Sequence, residues 1–300
     1  MAAPDGPYGI CETVAPGIRR VLAPNPSPMT GAGTNSYLVG TGDLALVDPG
    51  PDDPRHLAAL LAALEPGERI GHIFVTHAHR DHSGLTAALS AATGAPVLAF
   101  GDASAGRSAL MQDLAAREGS RGTEGTDESF RPDRILADGE RVDGPGWSLT
   151  ALHTPGHFGN HLCLQWGGQV FSGDHVMDWS TSIVAPPDGD MGAYMRSLAR
   201  LAQAGAVRLW PGHGAAVDDP AARIDELVAH RQARAGAILA ELGLGPSDAA
   251  TLASRIYRDT PAVLLPAAAL NVFAHLIEMT ELNLAEPLGP IRLGGLFRLK

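Results

Sequence analysis

The sequence predicts an α/β (α+β) chain, with two mixed β-sheets packed face to face, helices outside them, and a small helical module behind. Three observations carry this. Short β-forming runs and helical spacings follow one another twice, as strands, helix, strands, helix, an order that two layered sheets with outer helices satisfy. From Asp219 onward apolar residues recur at helical intervals until a final pair of short strands. Several strands of the first part also end in His, Asp and Gly, where the rim of a rigid sheet aims side chains into a cleft. The expected domains are residues 1–218 and 219–300.

Taken in order, residues 1–33 are rich in Pro. Ala23-Pro-Asn-Pro-Ser-Pro28 excludes a helix or a central strand, and residues 18–22 are expected as an edge strand. Residues 36–39 and 44–47 flank Gly40-Thr-Gly42 as a hairpin, and Asp48-Pro-Gly50 ends the second strand. Leu57, Leu60, Leu61 and Leu64 set a helical period over 54–64. The run 70–75 holds the β-formers Ile73, Phe74 and Val75 and stops where Thr76-His77-Ala78-His79-Arg80-Asp81-His82 begins; a helix-like run 83–93 and a strand 96–100 follow. Residues 104–117 suit a helix, whereas 118–132 show little periodicity, so 101–133 reads as a flap beside the cleft or as a passive surface insertion. A second strand set is expected at 134–136, 147–152, 161–166 and 169–171, with Gly167-Gly168 turning the last hairpin. Residues 191–204 are helical and 207–210 are a strand. Helices at 220–242, 246–257 (opened by the start signal Pro246-Ser247-Asp248) and 264–285, then a hairpin of 291–293 and 296–299 about Gly294-Gly295, describe a winged-helix-like module.

Composition narrows the function classes. At 300 residues and 45% hydrophobic there is ample core material. The net charge of −11 argues against a general polyanion-binding surface. Lys300 is the only lysine, and residues 223–300 balance eight positive against eight negative side chains, so the excess negative charge lies in the first 222 residues. Cys11 and Cys163 are isolated, which fits neither a disulfide framework nor a Cys-type zinc site. No signal-peptide pattern is visible and no apolar stretch reads as long enough to span a bilayer, so the expectation is a cytoplasmic protein without a membrane partner. The partner expected is a small-molecule substrate, with nucleic acid disfavoured.

The chemistry sits at strand ends. Three histidines and an aspartate fall within six residues at 77–82. Neutral imidazole and carboxylate are the ligands zinc accepts besides thiolate; an H-x-H pair lets two rings reach one ion, and the D-H pair can turn toward a second. His153-Thr-Pro-Gly-His157, Ser172-Gly-Asp174 and Pro211-Gly-His213-Gly214 each follow a strand in the same way, with Gly allowing a tight turn. Any one of these is weak alone. Together they offer seven ligands, His77, His79, Asp81, His82, His157, Asp174 and His213.

That constellation resembles the metallo-β-lactamase fold superfamily, in its H-x-H-x-D-H binuclear hydrolase branch. The resemblance implies an αββα sandwich with the site along one edge. It implies one metal on His77, His79 and His157, a second on Asp81, His82 and His213, Asp174 bridging them, and Asp48 as a carboxylate bracing the ligand loop. A narrower resemblance runs from about Thr34 to the end, on Gly33-Thr-Asn-Ser-Tyr-Leu38, Thr76-His-Ala-His-Arg-Asp-His-Ser-Gly84, Trp210-Pro-Gly-His-Gly214, His230-Arg231 and Tyr257-Arg-Asp-Thr-Pro261. It is to the β-lactamase-like protein 2 family, whose members carry a C-terminal winged-helix module and include a single-strand endoribonuclease. The acidity, the single lysine and the longer loop 101–133 depart from that nuclease and weaken the transfer of RNA as substrate.

The cofactors implied are two Zn2+ per chain, with Fe or Mn acceptable to the same donors. Such a pair shares a water and lowers its pKa toward ~7, giving a bridging hydroxide that Asp81 and Asp174 orient and whose proton they can accept as it attacks. The expected function is hydrolysis of a small ester, thioester or phosphodiester. The alternatives are a single-strand endoribonuclease, a glyoxalase-II-like thioesterase and a nucleic-acid-binding protein acting through the C-terminal module. A true β-lactamase is disfavoured, because many place Cys in the second metal site. His161, Trp179 and Ser180 are candidates for the substrate pocket. His56, His72, His175, His230 and His275 lack partner spacing and are read as structural. The C-terminal module is expected to cover the cleft or to mediate a homodimer.

Overall fold

In the computed structural model, which describes residues 8–118 and 125–300, the β-forming runs fold into two sheets. The first has seven strands in chain order: β1 (Cys11–Ala15), β2 (Ile18–Leu22), β3 (Asn35–Val39), β4 (Asp43–Val47), β5 (Arg69–Phe74), β6 (Val97–Ala99) and β7 (Arg134–Ile135). Pairing is antiparallel from β1 to β4 and parallel from β4 to β7. The second sheet contains β8 (Arg141–Gly144), β9 (Trp147–His153), β10 (Leu162–Trp166), β11 (Gln169–Gly173) and β12 (Arg208–Pro211), in the order β12-β11-β10-β9-β8. Only β11 and β12 are parallel there.

Strand alternation makes the layers. On β3, Tyr37 and Val39 face the second sheet and meet Phe74, Trp147, Leu149, Leu162, Phe171 and Trp210. Leu38, Leu46 and Ile73 point the other way, against Leu60 of α1 (Pro54–Ala62) and Leu89 of α3 (Thr86–Thr93). Behind the second sheet, Cys163, Val170 and Leu209 pack on Tyr194, Leu198 and Leu201 of α5 (Met191–Ala202). Two buried polar links stitch the sheets: Trp147 Nε1 donates to the Asp43 carbonyl at 2.7 Å, and Tyr37 Oη to the Pro211 carbonyl at 2.7 Å.

Several expectations need correcting. Residues 18–22 are not an edge strand, because the unforeseen β1 pairs outside them. Residues 134–136 do not open the second sheet; β7 closes the first, with Leu98 opposite Arg134. β8 was also unforeseen.

The C-terminal part contains α6 (Pro220–Leu242), α7 (Ala249–Ile256), α8 (Leu265–Glu281) and a two-stranded sheet of β13 (Ala285–Pro287) with β14 (Phe297–Leu299). Asp219 and Asp248 cap α6 and α7, accepting from the Ala222 and Thr251 amides at 3.0 and 2.8 Å. The terminal hairpin is wider than expected: its first strand starts at Ala285, and Gly294-Gly295 lie in the connection. Residues Ala262–Glu281 are, against expectation, long and apolar enough to cross a membrane, with a mean hydropathy of 1.7. Here Val272, Phe273, Leu276 and Ile277 of that stretch pack into the module's core.

The described residues of the segment 101–133 are anchored to the rest of the fold. Met111 and Leu114 of α4 (Ala109–Glu118) are buried in the C-terminal core. Downstream, Thr126 bridges His79, and the Asp127 amide donates to the Ala78 carbonyl at 2.8 Å. Residues 119–124 of the expected flap lie outside the described residues, as do residues 1–7.

Candidate metal centre

The ligand loop leaves β5 and closes into a single turn, α2 (Arg80–Ser83), with His79 in extended conformation at its start. One buried carboxylate fixes this turn to the sheet. Asp48 sits at φ +55°, a left-handed conformation uncommon for any residue but glycine, though less so for Asp and Asn. Its Oδ1 accepts from the Thr76 amide at 2.7 Å, and its Oδ2 accepts from Thr76 Oγ1 at 2.8 Å and from His82 Nδ1 at 2.9 Å. Asn160 adds a brace from the β9–β10 connection, its Oδ1 accepting from the Ala78 amide at 3.2 Å.

All seven expected donors come together, in three overlapping groups: His77, His79 and His157; His77, His82 and Asp174; Asp81, His82 and His213. His79 Nδ1 lies 2.8 Å from His77 Nε2 and 3.1 Å from His157 Nε2. His82 Nε2 is 3.3 Å from His213 Nε2. Asp81 Oδ2 lies 3.2 Å from His213 Nε2. Asp174 stands between the sets: Oδ1 is 3.4 Å from His82 Nε2, and Oδ2 is 3.3 Å from His213 Nε2 and 3.8 Å from His157 Nε2. Gly212 allows this closeness, since a Cβ there would lie 2.5 Å from His82 Cε1 and 2.6 Å from Asp174 Oδ1.

The donor set fits cations. Four of the five histidines have their outer nitrogen engaged: His77 Nδ1 with Thr76 Oγ1 (3.0 Å), His82 Nδ1 with Asp48, His157 Nδ1 with the Ile183 carbonyl (2.6 Å) and His213 Nδ1 with the Gly33 carbonyl (3.1 Å). A carbonyl or carboxylate only accepts, and Thr76 already donates its hydroxyl to Asp48, so this network assigns the proton to each outer nitrogen. In the neutral rings the inner nitrogens then present lone pairs to one another. Zinc–nitrogen bonds of about 2.0–2.1 Å in a tetrahedron set ligand atoms roughly 3.3 Å apart, close to the spacing seen. Asp174 Oδ1 is buried without a hydrogen-bond partner among the described residues.

Electrostatics divides the donors. Burial, reinforced by neighbouring imidazoles, holds His77 well below its ordinary value and His79 at about 4, so both are neutral donors. Burial acts the same way on His82 and His213, but Asp174 and Asp81 outweigh it, raising His82 well above the ordinary value and His213 to about 10. Burial would raise Asp174, yet His213 and His82 hold it well below the carboxylate range. Two carboxylates among these rings demand positive charge, as protons or as a bound dication.

The proposed pocket residues separate. His161 is fully buried behind the ligands, its ring 5.3 Å from that of His77 and its Nδ1 3.0 Å from Thr154 Oγ1, so it lines no open pocket. Trp179 is exposed and lies against Gly214, beside His213. Ser180 offers its carbonyl to Arg223 Nη2 at 2.7 Å. Sequence reasoning missed the Ile183 and Gly33 carbonyls that orient His157 and His213. A carbonyl is common to every residue, so no side-chain signal marks it.

The metallo-beta-lactamase superfamily model matches residues 29–213, and the beta-lactamase associated winged helix domain model matches residues 249–288. A beta-lactamase-like protein 2 homolog of Drosophila melanogaster is 32% identical over 273 residues, covering 87% of each chain. A metallo-beta-lactamase family protein from Thermus thermophilus superposes with a TM-score of 0.76 at 26% identity, covering 96% of this chain and 100% of that one. A beta-lactamase domain protein from Burkholderia ambifaria reaches a TM-score of 0.80 at 21% identity over 100% and 96% of the two chains, a likeness of fold alone. The chain belongs to the metallo-beta-lactamase superfamily, among the beta-lactamase-like protein 2 homologues, and carries their winged-helix module. Proteins of this fold typically bind metal ions, and most are hydrolases.

Proposed function

We propose that the protein is a binuclear metal-dependent hydrolase of a small ester, thioester or phosphodiester, with zinc in both positions and iron or manganese as substitutes. The observation that carries this is Asp174, a buried carboxylate with Oδ2 3.3 Å from His213 Nε2 and 3.8 Å from His157 Nε2, shared by two histidine groups. His77, His79 and His157 would hold one ion, and Asp81, His82 and His213 the other. Two divalent cations so held would supply an acidified water at neutral pH and a Lewis acid for the substrate oxygen. The half-buried donors His79 and Asp81 lie on the solvent side. There Asp81 can take the proton of the attacking water, provided substrate brings the two within hydrogen-bond reach. Asp48 and Thr76 keep His82 and His77 in the tautomers that point lone pairs inward.

The arginines favour a small substrate over nucleic acid. Of the four that could form a basic face on the C-terminal module, Arg231 is buried, Arg234 stacks on Tyr257 at 4.3 Å and Arg255 reaches Glu241 at 3.5 Å. Only Arg258 remains, with its Nε on the Arg255 carbonyl. Polyanion affinity needs several clustered, available cations.

The test sets zinc-loaded protein against a thioester, a lactone, a β-lactam, bis(p-nitrophenyl) phosphate and single-stranded RNA. Zinc content near two ions per chain and turnover of a small ester or diester are expected, with severe loss in Asp174→Asn. A fully active Asp174→Asn protein would sink the binuclear reading. Tight RNA binding with a steep salt slope would overturn the choice of substrate.

A further inference from the structure

We infer that Arg231 and Asn271, both in the C-terminal module, are positioning residues for the metal centre, acting through the three-residue segment Ser182-Ile183-Val184; this rests on reading the seven donors as metal ligands. The segment touches two ligand-bearing loops at once. The Ile183 carbonyl accepts from His157 Nδ1 at 2.6 Å. Ser182 Oγ donates to the carbonyls of Asp174 and His175. From the opposite side, Arg231 Nη2 donates to the Ser182 carbonyl, and Asn271 Oδ1 accepts from the Val184 amide at 3.0 Å. The same Asn271 oxygen accepts from Arg231 Nη1 at 3.2 Å, so α6 and α8 grip the segment as one unit.

Arg231 is an expensive way to fasten a loop. It is 2% exposed, and no carboxylate pairs with it among the described residues. Its guanidinium lies 5.0 Å from the Tyr194 ring, and its Nε has no hydrogen-bond partner among the described residues. Burying an unpaired cation is strongly unfavourable, and here carbonyl, amide and ring contacts offset it. Tyr194 in turn donates to the His175 carbonyl at 3.1 Å, beside Asp174. The charge thus sits against Ser182, which bonds the Asp174 carbonyl, and against Tyr194, which bonds the carbonyl of the next residue. Without the grip, the Ile183 carbonyl can drift and His157 loses the acceptor that fixes both its tautomer and its ring plane. The winged-helix module then serves as the outer wall of the metal site, whatever else it does.

The experiment uses the full-length chain and zinc alone. Arg231→Met keeps much of the apolar volume and removes every donor; Asn271→Ala removes the shared oxygen. Competition with a chromogenic chelator should show one of the two zinc ions bound about 10–100-fold more weakly in each variant, as for other partners of ligand histidines, with the second ion near its wild-type affinity. The visible spectrum of cobalt-substituted protein should change in the same variants. Arg231→Lys, which keeps a cation and a donor, should recover part of the loss. Phe273→Leu, in the core of the same module, is the control: it should lower the melting temperature and leave zinc affinity alone. Wild-type zinc affinity in folded Asn271→Ala, or an equal loss in Phe273→Leu, overturns the inference, and Asn271→Ala decides it even if Arg231→Met fails to fold. A wild-type chain that binds no zinc would instead overturn the reading of the donors, before any variant is made.

Discussion

Replacing Asp48 by Asn tests the ligand loop most directly. The substitution is nearly isosteric, and Asn tolerates φ +55° better than most residues, so the backbone can stay in place. The amide oxygen can still accept from the Thr76 N–H, now 2.7 Å from Oδ1. The amide nitrogen then replaces Oδ2, which accepts from Thr76 Oγ1 at 2.8 Å and His82 Nδ1 at 2.9 Å. An NH2 group facing the His82 Nδ1–H is donor against donor. His82 relieves the conflict by moving its proton to Nε2, the nitrogen 3.3 Å from His213 and 3.4 Å from Asp174. A protonated Nε2 cannot bind a metal. A hydrogen bond to a charged group contributes about 1.5–3 kcal/mol, and about 1.4 kcal/mol is tenfold in affinity, so zinc binding at the Asp81, His82, His213 position should weaken roughly 10–100-fold. Chelator competition reads the affinity, and melting with and without zinc separates site from scaffold. Unchanged binding of both ions refutes the reasoning. So does an equal fall in melting temperature in the metal-free and zinc-bound forms, since Asp48 would then act on the fold and not on His82.

Three further outcomes are expected. Gly212→Ala should lose at least one zinc ion, because its Cβ would sit 2.5 Å from His82 Cε1; wild-type zinc content by elemental analysis would contradict this. Burial lowers the His56 pKa from 6.5 to about 4, so below pH 6.5 the unfolded chain binds a proton that the folded chain refuses. Stability should therefore fall between pH 6.5 and about 4 by up to about 3 kcal/mol from this residue, and His56→Gln, which can still pair with Ser36, should flatten that slope in urea titrations; parallel slopes would remove His56 from the account. A 1–218 fragment should expose Met111, Leu114 and the face of α5 and bind a hydrophobic dye, whereas a soluble, zinc-loaded fragment would show that the first domain stands alone.

The donors were legible because each is a side chain of restricted chemistry at a strand end, and the turns that aim them are marked by Gly or a short His/Asp cluster. The helices with Asp-Pro starts, such as Asp219-Pro220, were legible for the same local reason. What escaped depends on distance along the chain. A strand at 134–136 was legible but its sheet was not: Arg134 and Ile135 join the first sheet because Leu98 and Ala99 present a free edge, and two residues carry no period that says which. β1 alternates poorly, so its five residues read as part of the Pro-rich lead. The α4 crossing was hidden because Met111 and Leu114 fit any helix face, and nothing local says which core they join. Likewise His161 is ligand-like in type, and only burial behind His77 separates it from the site.

The closure around His213 bears on how the protein folds. Its Nδ1 rests on the Gly33 carbonyl, 180 positions earlier, and Asn35 Nδ2 reaches the carbonyls of Pro211 and Gly214 at 3.0 Å each. His77, His79, Asp81 and His82, by contrast, lie within six residues of one another and are close in the chain before any sheet forms. Contacts so far apart in sequence form slowly, because loop closure must precede the reward, and topologies rich in them fold over milliseconds to seconds. On the proposed reading of the seven donors, a divalent cation present during synthesis would meet a four-donor loop first and the seven-donor cage only after both sheets have closed. Binding to the open loop stabilises the unfolded ensemble and subtracts from the native state's advantage. Timing, and not affinity alone, would then govern when the cation is committed.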